Sequence, residues 1–471
     1  MIPEINIKNW GLETHPLGEL SLHQHKLTEI ACEFGTPLYA LNQDRLEQTA
    51  REFVESAISN YSGKTSVHYA FKCNSVPYVV HTLKHCGMKA EVMTPFELEL
   101  ALSSGFDPCN IIVNGPGKTN EFLLRCITLG VRLVIIDSAA ELYEFENLLE
   151  RADKSSDVLL RINPDYIPPK MNKGSATGSR NYSAFGFDMK GGEVHSILNY
   201  LKDSVRINFR GYHFHIGTGI FDPKAYSNTL EKLVPLFNYT FNEGLKIDII
   251  DVGGGFGSQT SREFTGLEML IYQAFDHLPE FKTTPENNYF EKFFNEITSA
   301  IERIFGKRTL PEIIYEPGRC IVSSNQLLLL KIIRIKERAG TNKWLITDGG
   351  LGTITLPTFY EYHELLLCNC VIRPYEEIVT ITGPCCFAGD IVYKNKLMPK
   401  VYENEILALM DTGAYFNTME SSFGFPKPAI VTIKGNDTKV IRKRESYNDM
   451  VNRDINLIEA RGDQNEIYCH K

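Results

Sequence analysis

Short apolar runs, rich in Val, Ile and Leu, punctuate the chain between residues 36 and 320. They read TPLYAL (36–41), VHYAFK (67–72), KAEVMT (89–94), IIVNG (111–115), VRLVIID (131–137), DVLLRIN (157–163), YHFHIG (212–217) and IDIIDVGGG (247–255). Most are near-continuous in apolarity rather than alternating, as strands covered on both faces require. Between several of them the pattern becomes helical. TPFELELALSSG (94–105) offers Thr94 as a cap, Glu97 three residues on and Gly105 as a stop. SAAELYEFENLLERA (138–152) repeats the device with Ser138 and Glu141. This alternation predicts an α/β fold with a parallel sheet. The number of units, about eight in about 280 residues, predicts a (β/α)8 TIM barrel. A dinucleotide-binding sheet would need its third fingerprint glycine at 258, where the chain has Ser258.

After residue 310 the texture changes. IIYEPG, LLLLKIIRIKER, KWLITDGG, EEIVTITG, EILALMD and AIVTIKG are strand-like and mostly separated by turns. The expected organisation is a barrel over 36–310 and a β-rich barrel or sandwich domain over 311–471, with residues 1–35 joining the latter. Two long loops interrupt it. Residues 165–183 carry Pro, Gly, Ser and Lys without periodicity, and 256–292 mix helical and loop character. Loops after barrel strands often build the site, and a surface excursion is the alternative for the second.

The net charge of −9 over 471 residues argues against nucleic acid as a partner. The one dense basic run, Lys439 to Arg444, reads as a strand or surface segment. With 43% hydrophobic and 23% charged residues, the composition is that of a water-soluble globular protein. MIPEINIKNW has no signal-peptide pattern, no window approaches a membrane span, and eleven irregularly spaced cysteines suit a reducing compartment. The expectation is a cytoplasmic protein.

Four stretches carry chemistry. Lys72 ends an apolar run, where an ammonium must be paired or lose its proton, and a neutral lysine attacks aldehydes. Asp251-Val252-Gly253-Gly254-Gly255 ends another with bare amides suited to a phosphate. His213 and His215 alternate along one strand, pointing to one side. Glu316-Pro317-Gly318-Arg319 puts a carboxylate and a guanidinium at one strand end. GPCCFAGD (383–390) adds adjacent cysteines in a turn-like frame. A metal site is disfavoured there, since no second Cys or His pair stands at ligand spacing nearby.

Together these phrases resemble, in sequence order, the pyridoxal 5'-phosphate-dependent decarboxylases of alanine-racemase-like fold. The similarity runs from YAFKCN through LLRINP, GYHFHIGTG, DVGGGFG, EPGRCIV, GPCC and GAY to SYNDMVNRD, nearest the diaminopimelate branch. The resemblance implies that Lys72 holds the cofactor as a Schiff base and His215 stacks on its ring. Thr218 and Gly253, Gly254 and Gly255 would contact the phosphate with Arg319, and Glu316 would pair with the ring nitrogen. Tyr415 would reach the cofactor from the second domain. Cys386 would enter from the other subunit of a homodimer as proton donor. A carboxylate at the ring nitrogen favours the quinonoid state that decarboxylation needs, which argues against the racemase branch.

Two distal substrate handles depart from the family pattern. The acid after the cysteine is Phe387, and the arginine of an Arg-Pro-x-x-Tyr phrase is Leu356, with Tyr360 retained. Arg319, Tyr360, Phe387 and Tyr415 are the expected substrate contacts. The expected substrate is an amino acid with an apolar, acylated or conjugated side chain, as in specialised-metabolite or siderophore biosynthesis, rather than free diaminopimelate, lysine or ornithine. The alternatives are diaminopimelate decarboxylase proper, a racemase or lyase using the same cofactor, and an inactive regulatory homologue.

Overall fold

The computed structural model describes residues 5–16, 18–279, 285–354 and 360–454. Eight parallel strands close on themselves: Thr65–Ala70, Lys89–Val92, Ile111–Val113, Leu133–Ile136, Ser156–Asn163, Ile207–His213, Ile249–Asp251 and Glu312–Tyr315, the last pairing with the first. Ile135, Leu159, Ile314 and their neighbours are fully buried on both faces, which explains the unbroken apolar runs. The two caps read from sequence are present. Thr94 Oγ1 accepts from the Glu97 amide at the start of helix Pro95–Ser103, and Ser138 Oγ accepts from Glu141 at the start of Ala139–Ala152. Glu97 and Glu141 do not close a capping box. Their carboxylates reach one residue further back, to the amides of Met93 and Asp137.

Two strands lie elsewhere than the sequence pattern places them. Leu38–Asn42 is not a barrel strand. It runs antiparallel to Gln326–Lys336 and parallel to Ala429–Lys434 in the second sheet. Glu312–Tyr315, beyond the boundary read at 310, closes the barrel instead. A short, fully buried strand has the same apolar signature in either sheet, so periodicity could not assign it.

The second sheet is built on the eleven-residue strand Gln326–Lys336, which pairs with Leu38–Asn42, Lys343–Thr347 and Ile406–Leu409. Residues of the N-terminal segment, among them Trp10, Leu20 and Leu27, pack on Leu327, Leu329 and Ala408 of this sheet. The Trp10 indole donates to Asp411 at 2.8 Å. Asp437–Arg442, within which the basic run begins, is an edge strand of the same sheet. No helix among the described residues is long and apolar enough to cross a membrane.

Helix Gln43–Ser59 leads from the second sheet onto the barrel. Its Phe53 ring is fully buried, with Phe256, Phe290 and Phe294 centroids 5.5, 4.9 and 5.0 Å away. This cluster ties the helix to the glycine loop and to helix Tyr289–Phe305. Phe53→Ala is expected to cost about 3–5 kcal/mol, read as a lower urea midpoint.

Candidate active site

Every barrel strand brings a polar or charged side chain to the carboxyl-terminal mouth, where barrel sites form. Lys72 follows Thr65–Ala70 in a single 3-10 turn, Phe71–Cys73. Its Nζ donates to Glu91 Oε2 at 3.0 Å, and 33% of its side chain is exposed while Glu91 is buried. Burial pulls the Lys72 ammonium down, but Glu91 and Glu316 outweigh it and raise its pKa overall. Of the two responses open to a buried lysine, pairing and deprotonation, the chain adopts pairing. A third of the side chain is exposed, with Nζ held against Glu91.

Glu316 follows the closing strand Glu312–Tyr315 and is buried. Its Oε1 accepts from Asn114 at 3.4 Å, and its Oε2 lies 3.3 Å from His213 Nε2. Asp251 joins them, so that His213, Asp251 and Glu316 offer atoms within 4.8 Å of one another. Burial pushes both acids up, Asp251 well above the carboxylate range with the Glu316 charge adding to it. Burial holds His213 well below its usual pKa. The pair therefore holds a proton where solvated carboxylates would release it. Arg161, 3.4 Å from Asn114 Oδ1 and over the Phe185 ring at 4.3 Å, closes this side.

His215 lies just beyond strand Ile207–His213. Its Nδ1 accepts from the Gly254 amide at 3.2 Å, which assigns the proton to Nε2, and burial and then the Lys72 charge keep the ring neutral. The glycines at 253–255 are required by close approach. A Cβ on Gly254 would stand 2.2 Å from the Glu316 carbonyl oxygen, and one on Gly255 would stand 2.3 Å from that of Gly217. Two of their three amides are engaged internally, Gly253 with Asp251 Oδ1 and Gly254 with His215.

Arg319 opens the short helix Arg319–Val322 after the Glu316 loop. Its Nε donates to Thr218 Oγ1 at 3.3 Å, its Nη1 to Glu361 Oε2 at 2.8 Å, and it lies 5.0 Å from the Tyr415 ring centre. Tyr415, at φ 66°, is fixed by donation of its amide to the Cys73 carbonyl at 2.7 Å. An open cleft of about 680 Å³ is lined by His215, Gly217, Thr218, Glu263, Arg319, Tyr360 and Tyr415, with Met269 and Met419. The residues fit a phosphate-bearing ring aldehyde. Lys72 offers an amine, Thr218 and Arg319 set a hydroxyl and a guanidinium on the cleft wall for a phosphate, and Glu316 offers a buried carboxyl for a ring nitrogen.

Both long loops belong to this cleft. Ser175 Oγ donates to Glu263 Oε2 at 2.6 Å, Asn172 to the Phe264 carbonyl at 2.5 Å, and Thr177 to the His215 carbonyl at 2.9 Å. The second loop is ordered rather than an excursion over its described part. It forms strand Arg262–Glu263, paired with Glu361–Tyr362, and helix Gly266–Phe275 with a Thr265/Glu268 capping box.

The chain does not bring Cys386 or Phe387 to the cleft. Both are exposed in the turn between strands Tyr375–Thr382 and Ile391–Pro399, with the Phe387 ring 6.2 Å from that of Phe423. The Cys385 amide donates to Asp390 Oδ2 at 2.8 Å. Leu356 lies outside the described residues. Sequence reasoning missed Glu91, Asn114, Arg161, Glu263 and Glu361. A carboxylate within KAEVMT and a guanidinium within LLRIN, each inside a buried run, were the available signals.

Comparison with known proteins identifies the family and the fold. A family model described as pyridoxal-dependent decarboxylase, pyridoxal binding domain, matches residues 44–323. Diaminopimelate decarboxylase of Methanocaldococcus jannaschii is 27% identical over 446 residues, 93% of this chain and 95% of the relative. The Bacillus subtilis enzyme of the same name is 29% identical over 437 residues, 90% and 93%. The crystal structure of the M. jannaschii enzyme superposes with a TM-score of 0.83 at 25% identity, covering 95% of this chain and 98% of that one. A lysine/ornithine decarboxylase of Vibrio vulnificus, complexed with putrescine, shares the fold with a TM-score of 0.67 at 21% identity.

Gly254→Ala is expected to lower stability by about 1–3 kcal/mol, because the intruding methyl meets backbone. Thermal unfolding would show it, and a midpoint equal to wild type would contradict the cradle geometry. Glu97, buried after the Glu91 strand, has its pKa pushed up to about 7 by burial and then by Glu91. Between its unfolded value of 4.5 and about 7 the folded state keeps a proton that the unfolded chain releases, so this group's stabilisation falls as pH rises through that window. Urea midpoints at acidic and neutral pH should show Glu97→Gln removing part of that slope.

Proposed function

The chain belongs to the pyridoxal-dependent decarboxylases, and we propose that it removes the α-carboxylate of an amino acid whose side chain is apolar, acylated or otherwise conjugated. The observation that carries the active-site assignment is Lys72, a partly reachable ammonium held at the barrel mouth between the buried carboxylates of Glu91 and Glu316. When bound, pyridoxal phosphate supplies the sink for the electron pair left on the α-carbon as carbon dioxide departs.

Each residue has a defined task. Lys72 provides the amine that holds the cofactor, once its proton has passed to a neighbour; Glu91 Oε2 is within hydrogen-bond distance. Glu316, its proton affinity raised by burial, keeps a proton beside His213 Nε2 for a ring nitrogen. His215, neutral and fixed by the Gly254 amide, bounds the cleft without adding charge. Thr218, Arg319 and the Gly253–Gly255 loop hold the phosphate, the loop through its Gly255 amide because those of Gly253 and Gly254 are already engaged, and Tyr415 borders it from the segment after strand Ile406–Leu409. Tyr360 and Arg319 meet the substrate. Cys386, exposed on its turn, comes from a second copy of the chain and returns a proton to the α-carbon.

The restriction on substrate rests on Phe387 and Leu356. Phe387 enters the cleft of a second copy beside Cys386, where a substrate ammonium facing it lacks the charge-assisted bond a carboxylate would give, a loss of about 1.5–3 kcal/mol. A carbon dioxide release screen tests the proposal. Lys72→Ala should abolish release, and Glu316→Gln should lower kcat by about 10²-fold. Robust turnover of free meso-diaminopimelate, lysine or ornithine would sink the substrate assignment.

A further inference from the structure

Two glutamates stand opposite each other on the ribbon that walls the cleft. Glu263 and Glu361 are register partners across strands Arg262–Glu263 and Glu361–Tyr362. They are not equivalent. Glu361 is buried, pairs with Arg319 at 2.8 Å, and lies 3.3 Å from His363 Nε2. Glu263 is half-buried and lines the cleft beside Thr218, Arg319 and Tyr415. It takes a hydrogen bond from the Ser175 hydroxyl, but among the described residues no lysine, arginine or histidine lies within ion-pair distance of it. Burial raises its pKa, Ser175 opposes that, and the Glu361 charge adds to it, with Arg319 and the neutral Asn172 side chain pulling the other way. A carboxylate drawn out of water without a counter-ion, on the wall of a cleft, is a costly arrangement that a ligand cation would relieve.

We propose that Glu263 is a specificity-determining residue, whose carboxylate binds a protonated nitrogen carried by the side chain of the amino-acid substrate. This rests on the decarboxylation proposed above and narrows its substrate class to conjugated side chains that keep a cationic nitrogen. Glu263 reaches the cleft from the same chain that carries Lys72, at a place other than position 387. Met269 and Met419 line the same cleft and offer unbranched, adaptable surfaces for the methylene stem leading to that nitrogen.

Cadaverine and pentylamine, equal in carbon number and differing by one amino group, are suitable probes for calorimetric binding to the pyridoxal phosphate-loaded protein. The wild type should bind cadaverine at least about tenfold more tightly. Glu263→Gln should bring the ratio of the two dissociation constants to about one, whereas Ser175→Ala, which removes one neutral donor and no charge, should keep the preference. A wild-type ratio near one overturns the proposal even if the variant does not fold. So does a ratio that survives Glu263→Gln, or one abolished equally by Ser175→Ala. Turnover of free meso-diaminopimelate in the same preparation, with the ratios behaving as expected, would remove the substrate assignment above and leave the role of Glu263 standing.

Discussion

The site depends on one ion pair, Lys72 with Glu91, inside a set of acids that are individually reluctant to ionise. Glu91, Glu316 and Asp251 are all pushed up by burial, and Lys72 and Arg161 are the nearby cations. None of these charges would be tolerated alone at that depth. Removing one partner leaves the others uncompensated, so the constellation stands or falls together. The barrel makes this possible by delivering each group from a different strand end, on a backbone already satisfied by its ladder.

The glycine loop couples the two halves of that set. Gly254 packs where a Cβ would strike the Glu316 carbonyl, and its amide bonds His215, so the loops after three strands are tied together. The Arg319–Glu361 pair carries this tie to the two-stranded ribbon Arg262–Glu263 and Glu361–Tyr362, and Tyr415, which follows strand Ile406–Leu409 of the second sheet, locks on through the Cys73 carbonyl. The cleft is therefore a seam between two sheets rather than a hole in one.

Much of this was legible from sequence. Lys72, His215, Glu316, Arg319 and Tyr415 could be picked out because their residue types are conspicuous in the places they occupy, at the ends of apolar runs or in short glycine-bearing phrases. The partners were not legible. Glu91 meets Lys72 only because adjacent strands fall into register, and Glu263 faces the cleft only because a two-residue ribbon joins two loops. The misplaced strands have the same cause: hydrophobicity reports that a strand is covered and not which sheet covers it. Cys386 shows a different limit, since an exposed turn acquires meaning only from what packs on it.

The strand Leu38–Asn42 has a consequence for the order of assembly. It sits between Gln326–Lys336 and Ala429–Lys434, segments that leave the ribosome long after it. The barrel strands are all made in the interval. This strand must therefore wait, unpaired, while an entire barrel is synthesised beside it. Helix Gln43–Ser59, already able to dock on the barrel through Phe53, would hold its waiting neighbour close to where the late strands arrive.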